Sequence, residues 1–151
     1  MMSAGLLREM TVQDLPRCFD IRTRTRENAL TIETLTSVYG LHPDRVPDGM
    51  GETLRGWVYE TEGEVVGFAM GDAVEAELTV IALLPEAEGR GIGRQLLTEA
   101  TRWLCATGRQ PWLLTAADPS RRAYGFYVAQ GWQATGEINE RGEERFIYPH
   151  R

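Results

Sequence analysis

Residues that make disulfides or hold metals are scarce in this sequence. Cys18 and Cys105 are the only cysteines and His42 and His150 the only histidines. Each stands alone, so neither a disulfide framework nor a zinc site is expected. No apolar run approaches the ~20 residues that cross a bilayer. No long apolar stretch follows Met1, so a signal-peptide pattern is absent. Positive charge is in deficit: 16 Lys and Arg against 22 Asp and Glu leave a net charge of −6. That excludes the basic face of a general nucleic-acid binder. Through field steering it favours a cationic substrate such as an amine. Internal repeats and low-complexity linkers are also missing. These absences lead us to expect a single cytoplasmic domain over residues 1–151, with no metal and with neither nucleic acid nor membrane as a partner.

What is present is a chain of 151 residues, 42% hydrophobic and 25% charged, enough for one sizeable core. Leu6 and Leu7 suggest a short strand. Thr11-Val12-Gln13-Asp14 reads as a helix start with an acid in the first turn. That helix is expected to run to about Arg26, with Leu15, Phe19 and Ile21 toward the core. A second helix is expected from Ile32 to Tyr39, ended by Gly40, followed by an irregular stretch from His42 to Gly51. The period then changes. Gly56 to Glu60 and Glu64 to Met70 form the clearest hairpin, turning through Thr61-Glu62-Gly63. A third strand from Glu75 to Leu84 is apolar enough to be central and covered on both faces. From Gly91 to Thr107, Ile92, Leu96, Leu97, Ala100, Trp103 and Leu104 share one helical face, and Gly108 stops the helix. Trp112 to Thr115 is a strand, Asp118-Pro119 caps a helix that ends at Gly131, and Gln133 to Ile138 and Glu144 to Tyr148 close the chain as strands. The expected order is β-α-α-β-β-β-α-β-α-β-β, an α/β sandwich around a mixed sheet.

One segment carries chemistry. A strand ends at Leu84-Pro85, and Gly89-Arg90-Gly91-Ile92-Gly93-Arg94 leads into the longest helix. Small residues let an anion approach the main chain, and the free N–H groups of the first turn and the helix dipole point at it. Arg90 and Arg94 flank the turn and screen phosphate charge. A P-loop would need a lysine after the last glycine, and none occurs in this region. A dinucleotide fingerprint would need Gly-x-Gly-x-x-Gly in an opening βαβ unit, whereas here the spacing is Gly89-x-Gly91-x-Gly93 in mid-chain. By itself the turn supports an anion site.

Two motifs at matching separation extend this. Glu88-Gly89-Arg90-Gly91-Ile92-Gly93 resembles the Gln/Arg-x-x-Gly-x-Gly/Ala signature of the GNAT superfamily of N-acetyltransferases. Ser120 to Trp132 resembles that family's Asn-x-x-Ala-x-x-x-Tyr-x-x-x-Gly-Phe, with Ala123, Tyr127 and Gly131 in register. The resemblance covers residues 54 to 149. Three positions depart from it: Glu88 for Gln or Arg, Ser120 for Asn, and Trp132 for Phe. It implies a mixed, mostly antiparallel sheet of six or seven strands, flanked by four helices and splayed at the cofactor site. It also implies acetyl-CoA as cofactor.

The resemblance further implies roles for individual residues. The pantetheine arm would pair with the free edge at Ile81, Ala82 and Leu83, where an N–H near Leu83 would polarise the thioester carbonyl. The pyrophosphate would lie on Gly89 to Arg94, with Ser120 and Tyr127 also at the cofactor. Tyr127 is the candidate acid for the leaving sulfur. Glu77, eleven residues before Glu88, is the candidate base, with Glu75 in reserve. Thr115 stands near where ribosomal-protein N-terminal acetyltransferases of the family carry a glutamate, which counts against that subclass. A covalent route through Cys18 or Cys105 is disfavoured, since both sit in apolar patterns. The first helices would border the acceptor pocket, making Arg24 and Arg26, with Arg22 beside them, candidates for holding a substrate carboxylate. Tyr39 and Trp57 either line that pocket or pack. The expected reaction is acetyl transfer to a primary amine of a small molecule or peptide by direct attack in a ternary complex. The rival readings are an acyl-CoA sensor without transfer activity and an interaction protein that has lost the site. Homodimers are common in the family, and the final strands offer an edge for one.

Overall fold

The computed structural model describes residues 5–25 and 49–149. Seven strands form one sheet: β1 (Leu6–Glu9), β2 (Leu54–Thr61), β3 (Glu64–Asp72), β4 (Glu77–Leu83), β5 (Trp112–Ala116), β6 (Gln133–Ile138) and β7 (Glu143–Ile147). Their order across the sheet is β1-β2-β3-β4-β5-β7-β6. Every neighbouring pair is antiparallel except β4 and β5. Three α-helices are described: α1 (Leu15–Arg24), α2 (Ile92–Cys105) and α3 (Arg122–Ala129). The expectation of four is therefore not met among the described residues, because the helix expected at Ile32 to Tyr39 falls outside them.

The hairpin between β2 and β3 turns through Glu62 and Gly63, both with positive φ (54° and 79°). That backbone matches the twist of the flanking strands. In α2 the apolar spacing buries Ile92, Leu96, Leu97, Ala100 and Leu104. It packs on the sheet face carrying Trp57, whose ring meets Trp103 edge-on at 5.6 Å. On β3, a β-carbon added at Gly71 would lie 3.2 Å from Leu104, so this face is fitted to α2 at close range. Phe146 and Leu113, on β7 and β5, are fully buried, and Phe146 receives the rings of Tyr124 and Tyr127 from α3.

Before α1, a short 3-10 turn (Val12–Asp14) replaces the expected first helical residues. Asp14 is buried and accepts from the Thr11 N–H at 2.7 Å and from two nitrogens of Arg8 at 2.9 and 3.0 Å. Arg8 also reaches Glu60, which ties β1, the turn and β2 together.

Three of the boundaries that move have a local cause. First, α1 ends at Arg24, because Thr25 is extended. Second, β4 begins at Glu77 rather than Glu75, because Ala76 has φ +59° and breaks the strand. Third, α3 begins at Arg122 rather than at Asp118-Pro119. The Asp118 carboxylate is occupied by the Ser120 N–H and hydroxyl (3.0 and 2.7 Å), and Arg121 is extended. The expectation that β4 is covered on both faces holds for Leu78 and Ala82. Val80, Ile81 and Leu83 are half-buried and Thr79 is exposed, because β4 loses its neighbour on one side. No helix among the described residues is long and apolar enough to cross a membrane.

Candidate active site

The site begins where the sheet comes apart. β4 pairs with β5 at a single position, Glu77 with Trp112. From there β5 follows β7 over its whole length and β4 follows β3. The Leu84 N–H donates to the Val66 carbonyl of β3 at 2.9 Å. By antiparallel alternation Ala82 also turns toward β3, while Ile81 and Leu83 direct their N–H and C=O groups into the gap. These are the three positions expected to form the cofactor edge, and two of them present free backbone to it.

At the open end of the gap, a 3-10 turn (Pro85–Ala87) leads into the glycine turn. Gly89 and Gly91 have φ +76° and +79°, a conformation that glycine adopts without penalty. Gly91 is the N-cap of α2, and no side chain caps the helix. The first-turn N–H groups around Ile92, Gly93 and Arg94 are thus left for a ligand. Arg90 and Arg94 are exposed beside them. The Arg94 guanidinium folds over the turn, 3.7 Å from where a Gly91 β-carbon would lie. Two cations and a set of unused N–H groups fit the pyrophosphate of acetyl-CoA.

Glu88, the departure from the family signature, bonds to the other motif. Its carboxylate meets the Arg122 guanidinium at the start of α3, 3.3 Å away. This ion pair joins the glycine turn to the start of α3. Reasoning from sequence missed Arg122. The available signal was an acid where a neutral or basic residue is usual, with an arginine at the start of the second motif. Ser120 bonds to Asp118 and sits exposed at the approach to α3.

Tyr127 is buried, with Phe126, Trp132 and Phe146 around its ring at centroid distances of 5.5, 6.4 and 6.2 Å. Burial raises its hydroxyl well above the ordinary tyrosine value, and the positive charge of Arg22 on α1 pulls weakly the other way. The hydroxyl keeps its proton at neutral pH, and the same shift makes it a weaker acid than a solvated tyrosine.

Glu77 lies at the closed end. Its partner Asp72 follows Gly71, which faces α2, so Asp72 and Glu77 lie on the sheet face away from α2. The Glu77 carboxyl is pushed up to about 7, first by burial and then by the negative charges of Asp72 and Glu75; Arg145 opposes this. Arg145 stacks on the Trp112 ring at 4.2 Å. Glu75 is exposed and outside the strand. Glu75, the reserve candidate, is two residues before Glu77, but the positive φ of Ala76 breaks the strand alternation between them.

The acceptor candidates fare unevenly. Arg24 is ion-paired to Asp20 of its own helix at 3.2 Å. Trp57 packs in the core. Arg26 and Tyr39 lie outside the described residues. Of the cysteines, Cys18 is buried and its thiol is pushed up to about 12, chiefly by burial, while Cys105 is also raised by burial. Neither is a ready nucleophile. No group of metal-ligating side chains occurs among the described residues.

A family model described as the acetyltransferase (GNAT) family matches residues 15–132. Among curated proteins, none matches the chain in sequence. Solved structures do resemble it in fold. The PaiA N-acetyltransferase of Thermoplasma acidophilum, in complex with coenzyme A, superposes with a TM-score of 0.77 at 16% identity, covering 97% of this chain and 99% of that one. The ribosomal-protein-S18-alanine N-acetyltransferase of Escherichia coli gives 0.67 at 22% identity, covering 95% and 90%. Ard1 of Thermoplasma volcanium gives 0.67 at 19% identity, covering 96% and 95%.

Proposed function

Because the chain belongs to the GNAT family of acetyltransferases, we propose that it transfers an acetyl group from acetyl-CoA to a primary amine of a small molecule or peptide. Membership makes it an acyltransferase with acetyl-CoA as donor and an amine-bearing acceptor. The finer reading is direct attack in a ternary complex, with this chain's residues in the following roles.

The observation that carries it is the gap between β4 and β5. It joins an anion-binding helix start at one end to an acid of raised pKa at the other. Acetyl-CoA supplies the activated acetyl thioester when bound. Gly89 to Arg94 hold its phosphates, with Ser120 at the edge of the site. The exposed edge of Ile81, Ala82 and Leu83 pairs with the pantetheine arm, and an N–H there faces the carbonyl oxygen where charge develops. A free amine has an ordinary pKa of about 10.4 and arrives as an ammonium. Glu77, half-ionised near neutral pH, takes its proton directly or through a water. After attack the nitrogen still carries one extra proton; Tyr127 gives its proton to the departing sulfur, and the proton released from nitrogen restores the Tyr127 hydroxyl. The protonated thiols of buried Cys18 and half-buried Cys105 favour direct attack over an acetyl-cysteine route.

Isothermal titration with acetyl-CoA tests the first half of this reading. Absence of binding at high micromolar cofactor would overturn it. A thiol-release assay over amino acids, polyamines and peptide N-termini tests the second half. Tight cofactor binding with no release over the whole panel would make the protein a sensor rather than a transferase.

A further inference from the structure

Charged groups crowd the Glu77 end of the gap, and two of its acids are already engaged. Glu77 and Trp112 pair across β4 and β5, so their side chains share one face of the sheet. Arg145 on β7 stands opposite Leu114, two residues along from Trp112, which puts its side chain on that face too. Asp72 accepts from the Val74 and Glu75 N–H groups of its own turn at 2.9 and 3.4 Å. Glu143 accepts from Asn139 and Arg141, each at 3.0 Å. Glu75 is exposed.

Arg145 differs from these. Its guanidinium lies 4.2 Å from the centroid of the Trp112 ring. The indole N–H of that ring donates to the Glu75 carbonyl at 2.8 Å, which fixes the platform. Stacking covers one face of a guanidinium and leaves the N–H groups at its edge free to bond. Among the described residues no carboxylate pairs with them. The result is a half-buried cation, held in place beside Glu77, with its donors unspent.

We propose that Arg145 determines acceptor specificity: it takes a carboxylate that the acceptor carries beside its amine, which makes the acceptor an amino acid or a related amino carboxylate. This rests on the reading of Glu77 as the base, because the amine then lies at Glu77 and the carboxylate at Arg145. The planar fork of the guanidinium matches a carboxylate with two parallel bonds. A phosphate dianion would meet the charges of Asp72, Glu75 and Glu77 in the same place and is disfavoured. A zwitterion suits both signs of charge at once.

The test pairs each amino carboxylate with its carboxamide, which keeps the amine and loses the negative charge. The common amino acids, β-alanine and γ-aminobutyrate form the panel. Each compound is titrated by calorimetry into the protein saturated with coenzyme A, which reads binding whether or not transfer occurs. Each is also run in the thiol-release assay at about pH 9, where Glu77 is ionised, so that a change does not arise through the base. At least one carboxylate is expected to bind about tenfold or more tightly than its carboxamide. Arg145→Gln should erase that ratio, with the loss on the carboxylate side. Arg145→Lys, which keeps the charge and gives up the fork, should retain part of it. Equal binding within every pair, a ratio that survives Arg145→Gln, or no binding by any member would overturn the proposal. A ratio that depends on Arg145 but comes without thiol release would uphold the carboxylate site and refute transfer. Thiol release indifferent to the carboxylate would do the reverse.

Discussion

Replacing Glu77 with glutamine should make the protein more stable and less active at the same time, with both effects set by pH. The carboxyl goes from an ordinary 4.5 to about 7 on folding. Its folded pKa is raised, so between pH 4.5 and 7 the folded state holds more protons than the unfolded state. Stability then falls as pH rises, and the penalty is complete above pH 7. A change of that size corresponds to about 3 kcal/mol at full burial, and partial solvent contact reduces it to about 2 kcal/mol. Glutamine carries no charge at any pH. Glu77→Gln should therefore match wild type in urea unfolding at pH 4 and exceed it by about 2 kcal/mol at pH 8. Comparing the two proteins at each pH cancels the other carboxylates. In the proposed reaction, with Glu77 as base, the ionised form is the useful one. Wild-type kcat/KM should rise tenfold per pH unit below 7 and level off above it. The variant should lose that limb and fall by about 10²-fold or more at pH 8. A stability difference that does not grow with pH would refute the burial of this charge. An acid limb near pH 7 that persists in the variant would refute Glu77 as the base.

Tyr127→Phe should lower kcat by about 10²-fold, the usual size of a proton-transfer contribution, while titration shows acetyl-CoA affinity nearly unchanged; a normal rate would remove Tyr127 from the chemistry. Gly91→Ala forces an alanine to φ +79° and should cost about 1 kcal/mol together with a marked loss of acetyl-CoA affinity. Gly108→Ala, at φ +81° beyond the other end of α2 with open space around it, should cost the same stability in urea and leave the Kd alone. Glu88→Gln removes an acid beside the phosphate site and should tighten acetyl-CoA binding a few-fold at low ionic strength, an effect that fades as salt rises; an unchanged Kd at low salt would argue that the phosphates lie elsewhere. Asp14→Ala breaks the paired bonds from Arg8 and the one from the Thr11 N–H and should cost about 2 to 3 kcal/mol near neutral pH. The folded pKa of Asp14 is lowered, chiefly by Arg8, so this contribution is present above the ordinary carboxylate range and should vanish as the pH falls through the folded value.

Features written in neighbouring residues could be read from the sequence. The β2–β3 turn was legible because Glu62-Gly63 is local chemistry. The long helix was legible because its apolar residues repeat over four turns, and the phosphate turn because its glycines stand between a strand and that helix. Features that depend on distant partners were not legible. Asp118-Pro119 has the composition of a helix start, but the Asp118 side chain is used by Ser120, and the helix waits until Arg122. Ala76 carries no turn signal, yet its positive φ separates Glu75 from Glu77. The Glu88–Arg122 pair spans 34 positions, and no local rule marks it. Trp57 fits a core and a pocket equally well as a residue type; only its contact with Trp103 decides.

The divergence of β4 from β5 is the least legible feature and the most informative one. An open edge normally lies at the margin of a sheet, where water serves the unpaired groups. Here it lies in the middle, with three strands on one side of the gap, β1 to β3, beyond β4, and two on the other, β7 and β6, beyond β5. The chain could have closed it, since β4 is two residues longer than β5 and both are apolar. Instead β7 takes all five residues of β5, from Trp112 to Ala116, while β4 keeps only Glu77 in contact. Each N–H or C=O left without a partner inside a sheet costs about 1 to 3 kcal/mol. Ile81 and Leu83 both carry such groups. A gap beside an uncapped helix start and a carboxyl held near neutrality is what a site for an extended, hydrogen-bonding arm requires. Substitutions that lengthen the β4–β5 ladder should therefore raise stability while lowering acetyl-CoA affinity.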